Sequence, residues 1–362
     1  MTKKINKIAF IVATQYDNVG DLLINKCLIN ELSLHGEVYL DTKNVPSSFK
    51  NLLLSDTNNV FELNKISKYS FKGKSFFSLL RNNPGITHIF KSPGPFGTHG
   101  DKKVFLKTLV IGLIYKLFKL KGVKSYLVGN DIHYEKDMDR FCVKFFSQNT
   151  GQMLCRSHNN LEALKNIGLK NVDYIPDMCF GLTPVIHRDH SFKKHIGVSF
   201  RKLEDNSYHQ EIIIAIKNVL NADPQVKITF FYQVERDATY NKELYSLFNS
   251  HENVFFNDSC LEWEDLSIYN SFDYTLSNRL HVLLLGVVHQ VIPIALLNND
   301  TKTQKINDIF NSVGMSELLF SHLDLTDVTN LIERYTELSF QVEEIRKIQR
   351  EELVKKIANI FN

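Results

Sequence analysis

Arg279 and His281 stand two residues apart in the stretch Ser277-Asn278-Arg279-Leu280-His281, at the front of a largely apolar run that ends at Leu297. A guanidinium presents a planar fork of N–H donors that matches phosphate or carboxylate. An imidazole exchanges a proton near neutral pH. Side by side, the two would make an anion seat next to a proton-transfer group. Ser277 or Asn278 is placed to cap the helix that the following pattern predicts, and a helix N-terminus attracts anions. Inside a regular helix, a two-residue step would turn Arg279 and His281 about 200° apart. They can serve one ligand only if Arg279 sits at the irregular cap. The plainer alternative has Arg279 paired with a carboxylate and His281 as a hydrogen-bonded packing residue.

Other polar groups fall just after strand-like segments. The loop "YDNVGD", residues 16 to 21, offers Asn18, Gly20 and Asp21, either as a capped strand–helix turn or as a substrate loop with Asp21 accepting hydroxyl protons. The loop "SPGPFGTHGD", residues 92 to 101, is stiffened by glycine and proline, Gly94 among them, and predicts a cleft wall. It lacks the G-K-[ST] ending of a nucleotide-binding phosphate loop and the G-x-G-x-x-G spacing of a dinucleotide site. "VGNDIH" contributes Asn130 and Asp131, "CRSHNN" contributes Arg156, and "VSFRK" contributes Arg201. A single strand-end arginine is as suited to a surface ion pair as to a ligand. No H-E-x-x-H motif or other metal spacing joins the histidines, among them His99, His133, His187 and His289, so no metal is expected.

These loops need strands to position them, and strand-like and helix-like segments alternate along the chain. "KIAFIVA", "EVYLD", "ITHIFK", "KSYLVG" and "QMLC" read as strands of a first series. "HIGVSFR", "VKITFFYQ", "NVFF", "DYTL" and "VIPIALL" read as strands of a second. Alternation of this kind predicts α/β architecture with parallel sheets covered by helices. We divide the chain into a domain over 1–185, a second over 190–335 and a charged helix over 336–362 that can pack back on the first. The boundary falls in "GLTPVIHRDHSFKK", residues 181 to 194. In the opening stretch, a helix is expected over about 280–288, a turn at His289-Gln290 and a strand from Val291 to Leu296. A membrane span needs about 20 apolar residues, and Pro293 would cost a helix interior about 3 kcal/mol.

The 362 residues carry 43% apolar and 23% charged side chains with a net charge of +3, which excludes a strongly basic nucleic-acid binder. Cys27, Cys142, Cys155, Cys179 and Cys260 are scattered without a C-x-x-C pair, as expected in a reducing cytoplasm. The apolar run Ile8–Ala13 is too short for a secretion signal and predicts a buried first strand. Residues 102 to 124, "KKVFLKTLVIGLIYKLFKLKGVK", predict a helix with two readings: a core helix with snorkelling lysines, or a surface helix resting on anionic lipid at the inner face of the cell membrane.

Together, the N-x-G-D loop (Asn18, Gly20, Asp21), "GPFG", "VGND", "RSHNNLEALKNIGL", "IPDMCF", "SFR" and above all S-x-R-L-H (Ser277, Arg279, Leu280, His281) resemble the polysaccharide pyruvyl transferase family over most of the chain. The resemblance implies two Rossmann-like domains facing across a cleft, as in the GT-B glycosyltransferase architecture. It implies transfer of a pyruvyl unit from phosphoenolpyruvate to a sugar as a cyclic ketal, with no cofactor. By that match Arg201, Arg279, Leu280 and Ser277 bind the donor, with His281 as general acid. Asn18, Gly20, Gly94, Asn130 and Asp131 fall to a sugar acceptor, which can be lipid-linked. Asp21 is the candidate base. A nucleotide-sugar glycosyltransferase of the same architecture is the alternative activity, and a non-catalytic sugar-binding protein a third.

Overall fold

The computed structural model describes residues 5–55, 57–98, 100–186, 194–298 and 301–362, so His99, His187 and residues 187–193 of the expected boundary lie outside the described residues. The chain forms two compact units. One holds the chain up to Tyr16, then Asp21–Gly181 and Glu352–Asn362; the other holds Asp17–Gly20 and Leu182–Glu351.

The first unit is built on β1 (Lys7–Ile11), β2 (Glu37–Asp41), β3 (Val60–Glu62), β4 (His88–Lys91), β5 (Gly94–Phe96), β6 (Lys124–Ile132), β7 (Gln152–Cys155) and β8 (Val172–Tyr174). Their order is β3-β2-β1-β4-β6-β7-β8, with β5 beside β6, and the pairings are parallel. Ile8, Ala9 and Phe10 are buried in succession, because helices cover both faces of a parallel sheet. Those helices are α1 (Val19–Ser33), α2 (Ser47–Leu54), α3 (Phe76–Arg81), α4 (Lys102–Leu120), α5 (Asp137–Asn149) and α6 (His158–Asn166). The chain's last residues belong here too: Lys356 Nζ lies 2.6 Å from Asp173, and Phe361 stacks on His35.

Two expectations change in this unit. The glycine/proline loop is partly a strand, since Gly94–Phe96 pairs with Asn130–Ile132. β6 runs for nine residues while β4 pairs only as far as Tyr126, so the loop backbone takes up the ladder beyond. The basic helix α4 is a core helix on one face only: Thr108, Gly112, Ile114, Tyr115 and Phe118 are buried, while the leucines of the opposite face are exposed.

The second unit contains β9 (His195–Ser199), β10 (Lys227–Tyr232), β11 (Val254–Cys260), β12 (Tyr274–Ser277), β13 (Ile292–Leu296) and β14 (Leu319–Phe320), in the order β11-β10-β9-β12-β13-β14. Its helices are α7 (Asn206–Ala222), α8 (Ala238–Ser246), α9 (Leu280–Val288), α10 (Thr301–Val313), α11 (Leu325–Glu333) and most of α12 (Tyr335–Phe361). The expected helix, turn and strand of the apolar run appear as α9, a break at Gln290 with φ 61°, and β13. Pro293 is tolerated in β13 because β14 pairs only with Ala295 and Leu296. Every α9 residue except His281 is buried. At about 1.5–3 kcal/mol for each fully buried aliphatic side chain, that helix is firmly anchored. No helix among the described residues is long and apolar enough to cross a membrane.

Candidate functional site

In open parallel sheets, ligands gather beyond the strand C-termini where the strand order reverses. In the second unit that point lies between β9 and β12, which are hydrogen-bonded neighbours. Arg201 follows β9 and Arg279 follows β12, so the fold brings these two residues to one crevice.

Arg279 is the N-cap residue of α9, with extended backbone at φ −105° and ψ 118°. It therefore stands outside the regular helix, which removes the angular conflict with His281 in the first turn. The expected side-chain cap from Ser277 or Asn278 does not form. Ser277 Oγ instead donates to Ser199 O and accepts from the Arg279 N–H at 2.9 Å. That hydroxyl ties β12 to β9 and fixes the Arg279 backbone, which leaves it no geometry for capping.

Asn278 is used in the same way. Its Oδ1 accepts from the Arg201 N–H at 2.7 Å, and its Nδ2 donates to Arg201 O at 2.9 Å. Asn241 of α8 holds the preceding residue identically: Oδ1 accepts from Phe200 N–H and Nδ2 donates to Phe200 O, both at 2.9 Å. Two buried carboxamides thus imitate neighbouring strands and extend β9 past its last sheet pair. Without them, buried backbone groups at 200 and 201 would lack partners, which costs about 1–3 kcal/mol each.

Asp237, just after β10, forms an ion pair with Arg279, and the two side chains are only 5% and 11% exposed. Burial pushes the Asp237 carboxyl up, against the pull of Arg279 and Arg201. Burial presses the Arg279 guanidinium down to about 10, with Asp237 opposing and Arg201 adding to the shift. Arg279 is thus paired with Asp237 and feels the positive potential of Arg201, and converging guanidiniums are the kind of group that suits an anion. Leu280 is buried and presents the crevice only with backbone in the first turn of α9.

The N-x-G-D loop divides between the units. Asn18 Oδ1 accepts from the Gly20 N–H at 3.0 Å, so Asn18 caps α1, and Asn18 also bridges to Val234. Gly20 has no room for a side chain: an added Cβ would overlap the His281 ring, 2.6 Å from Cγ. This glycine is required by close approach, and it lies against the candidate acid. Asp21 sits in the first turn of α1.

In the first unit, Asn130 Nδ2 donates to Gly94 O at 2.9 Å, fixing β5 to β6, while Asn130 Oδ1 is buried without a hydrogen bond. Gly129 turns the strand with φ 70°, and its Cβ would press on Met178 and Pro93 at 3.1 and 3.4 Å. Arg156 is buried, with Nη1 2.9 Å from Asp177 and Nη2 4.0 Å from Asp131. Burial works against its charge, but Asp177 and Asp131 outweigh it and hold the guanidinium above its ordinary value. This arginine is an internal ion-pair partner.

Sequence reading missed Asp237 and Asn241. Asp237 lies in the polar loop after β10, so searching every strand end of the second series would have found it. Asn241 gives no local signal for this role, since the Phe200 backbone it holds is 41 residues away and its one near partner is the Asp237 carbonyl.

A model of the family described as polysaccharide pyruvyl transferase matches residues 18–301. No curated protein matches the sequence. Among solved structures, UDP-GlcNAc 2-epimerase from Neisseria meningitidis is similar with TM-score 0.63 and 11% identity, covering 98% of each chain. HepE of Anabaena, solved with UDP and glucose, gives TM-score 0.57 and 12% identity over 98% of this chain and 97% of that one. S. aureus MnaA, solved with UDP, gives 0.54 and 12% over 94% and 91%. At these identities the likeness shows the fold alone, the two α/β units with parallel sheets of the GT-B kind.

Proposed function

This chain belongs to the polysaccharide pyruvyl transferase family, and on that premise we propose that it moves the pyruvyl unit of phosphoenolpyruvate onto two hydroxyls of a sugar in a polysaccharide precursor. The carrying observation is Arg279 at the cap of α9, beside Arg201 and one turn-end from His281. A donor with a phosphate and a carboxylate on three carbons needs converging cations. Arg201 and Arg279, at the ends of neighbouring strands, are our candidates for those cations. The helix N-terminus adds its partial positive charge.

In the proposed reaction, protonated His281 gives its proton to the donor's methylene carbon, which becomes the methyl group. The central carbon becomes electrophilic, and a first sugar hydroxyl adds there. A second hydroxyl then adds as the carbon–oxygen bond to phosphate breaks. One hydroxyl proton replaces the proton His281 gave, and the other leaves with phosphate. Asp21 is the candidate acceptor of a hydroxyl proton, and Asn130 and Asp131 are candidates for holding the sugar. The nucleotide-sugar alternative keeps the support of fold alone, which does not fix function.

The test is phosphate release from phosphoenolpyruvate against a panel of free and lipid-linked sugars. Release is expected only with an acceptor, and His281→Ala is expected to lower it by about 10³-fold or more with an unchanged thermal melt. A fully active alanine variant would remove His281 from the acid role. Stabilisation by nucleoside diphosphate sugars but not by phosphoenolpyruvate would favour glycosyl transfer instead.

A further inference from the structure

Helix α4 has an apolar ridge on its outer face. Leu106, Val110, Leu113, Leu117 and Leu120 recur at steps of four and three residues, which places them in one line along a helix. They are 62%, 55%, 50%, 37% and 77% exposed. Phe141 of α5 is also exposed and its ring lies 6.1 Å from Phe105 of α4, which widens the apolar strip. The opposite face of α4 is locked into the unit, where Gly112 allows the Phe145 ring to approach closely.

Charge selects what covers this ridge. Between Lys102 and Lys124 there are seven lysines and no acidic residue. Lys103 and Lys107 flank the ridge on one side and Lys116 on the other, and all three are exposed, while Lys119 Nζ donates to Gln148 O at 2.8 Å. The acidic groups nearest in sequence have partners of their own: Asp101 caps α4, Asp131 lies 4.0 Å from Arg156, Glu135 3.9 Å from His133 and Asp137 3.6 Å from Arg140. A second copy laid face to face would set lysine rows against each other. A straight aliphatic ridge with basic flanks is instead the composition of a helix lying in a membrane interface. We infer that α4 is a peripheral docking surface for an anionic lipid bilayer. The leucines enter the headgroup boundary, and the lysines meet lipid phosphates. The inference is independent of which donor the protein uses.

Sedimentation of the full-length protein with vesicles tests it. Binding is expected to vesicles of mixed phosphatidylcholine and phosphatidylglycerol, weakening as salt rises, and to be about tenfold weaker with phosphatidylcholine alone. Leu113→Ser/Leu117→Ser and, separately, Lys103→Glu/Lys116→Glu are each expected to weaken it about tenfold. These positions are exposed, so both variants should keep the parent's circular dichroism and thermal melt. Absence of binding by the folded parent would overturn the inference, as would binding unchanged in both variants. A dimer in light scattering that Leu113→Ser/Leu117→Ser dissociates would assign the ridge to self-association instead.

Discussion

A buried arginine closes a strand end in each unit, and the two are balanced in opposite senses. In the second unit, Arg279 pairs with Asp237, and Arg201 and Arg236 add positive potential. In the first, Arg156 meets both Asp177 and Asp131. The potential at Arg279 comes from one carboxylate opposed by other arginines, and that at Arg156 from two carboxylates. Burial opposes the charge of both arginines, yet Arg156 ends above its ordinary value while Arg279 is pressed down to about 10. A buried strand-end arginine therefore says little by itself. The charges around it decide whether it is held above its ordinary value, as Arg156 is by two carboxylates, or pressed below it, as Arg279 is beside other arginines.

The largest effect should come from removing each arginine in turn. Arg156→Met leaves two carboxylates beside each other, one of them fully buried, and should cost about 3–5 kcal/mol of stability. Arg279→Met leaves Asp237 near Arg201 and Arg236, so the loss should be nearer 1–3 kcal/mol. Phosphoenolpyruvate-dependent phosphate release should then fall about 10²–10³-fold. Urea unfolding and the release assay measure the two quantities. If Arg279→Met kept its activity while losing as much stability as Arg156→Met, both arginines would be structural and the contrast would collapse.

A smaller effect isolates positioning. Asn278→Ala removes both bonds to the Arg201 backbone while leaving its guanidinium in place. The KM for phosphoenolpyruvate should rise about tenfold, with kcat changing less, and stability should fall by about 1–2 kcal/mol. An unchanged KM would mean that Arg201 is held without the carboxamide.

Much of this was legible in the sequence where the signal is local. The alternation of strands and helices gave two parallel α/β units, and the S-x-R-L-H stretch put Arg279 at a helix start. The apolar run resolved into α9 and β13 because His289, Gln290 and Pro293 interrupt it. What stayed hidden depends on contacts far apart along the chain. Asn278 and Ser277 looked like caps, since Asn and Ser usually are. Only the packing of β9 beside β12 reveals that they grip residues 77 and 78 positions away. The strand at Gly94–Phe96 was hidden for the same reason, because it exists only through its pairing with the end of β6. The face of α4 that stays outside was open in the sequence, since a row of leucines reads equally well as core.

The smallest effect tests whether the two units also differ in how acid reaches them. His195 and His289 of the second unit and His88 of the first are each pushed down to about 4, chiefly by burial, with Lys227, Arg346 and Lys124 respectively adding to it. One nitrogen of each ring has a neutral partner: Thr229 for His195, Asn270 for His289 and Thr87 for His88. The folded values lie below the ordinary 6.5, so the unfolded chain binds protons first. Stability is then complete above pH 6.5 and is lost as pH falls from 6.5 towards 4, by roughly 1–3 kcal/mol per histidine. Among the described residues, two histidines of the second unit are held this far down against one of the first, where His35 is also lowered by burial, so the second unit should weaken faster. Trp263 is the chain's single tryptophan and belongs to that unit, so its fluorescence reports on it separately. Between pH 7 and 5, the urea midpoint seen by Trp263 should fall further than the midpoint seen by far-ultraviolet circular dichroism. His289→Gln should remove most of that extra acid sensitivity. Equal shifts in both signals, or an unchanged slope in His289→Gln, would show that these neutral histidines do not set the difference.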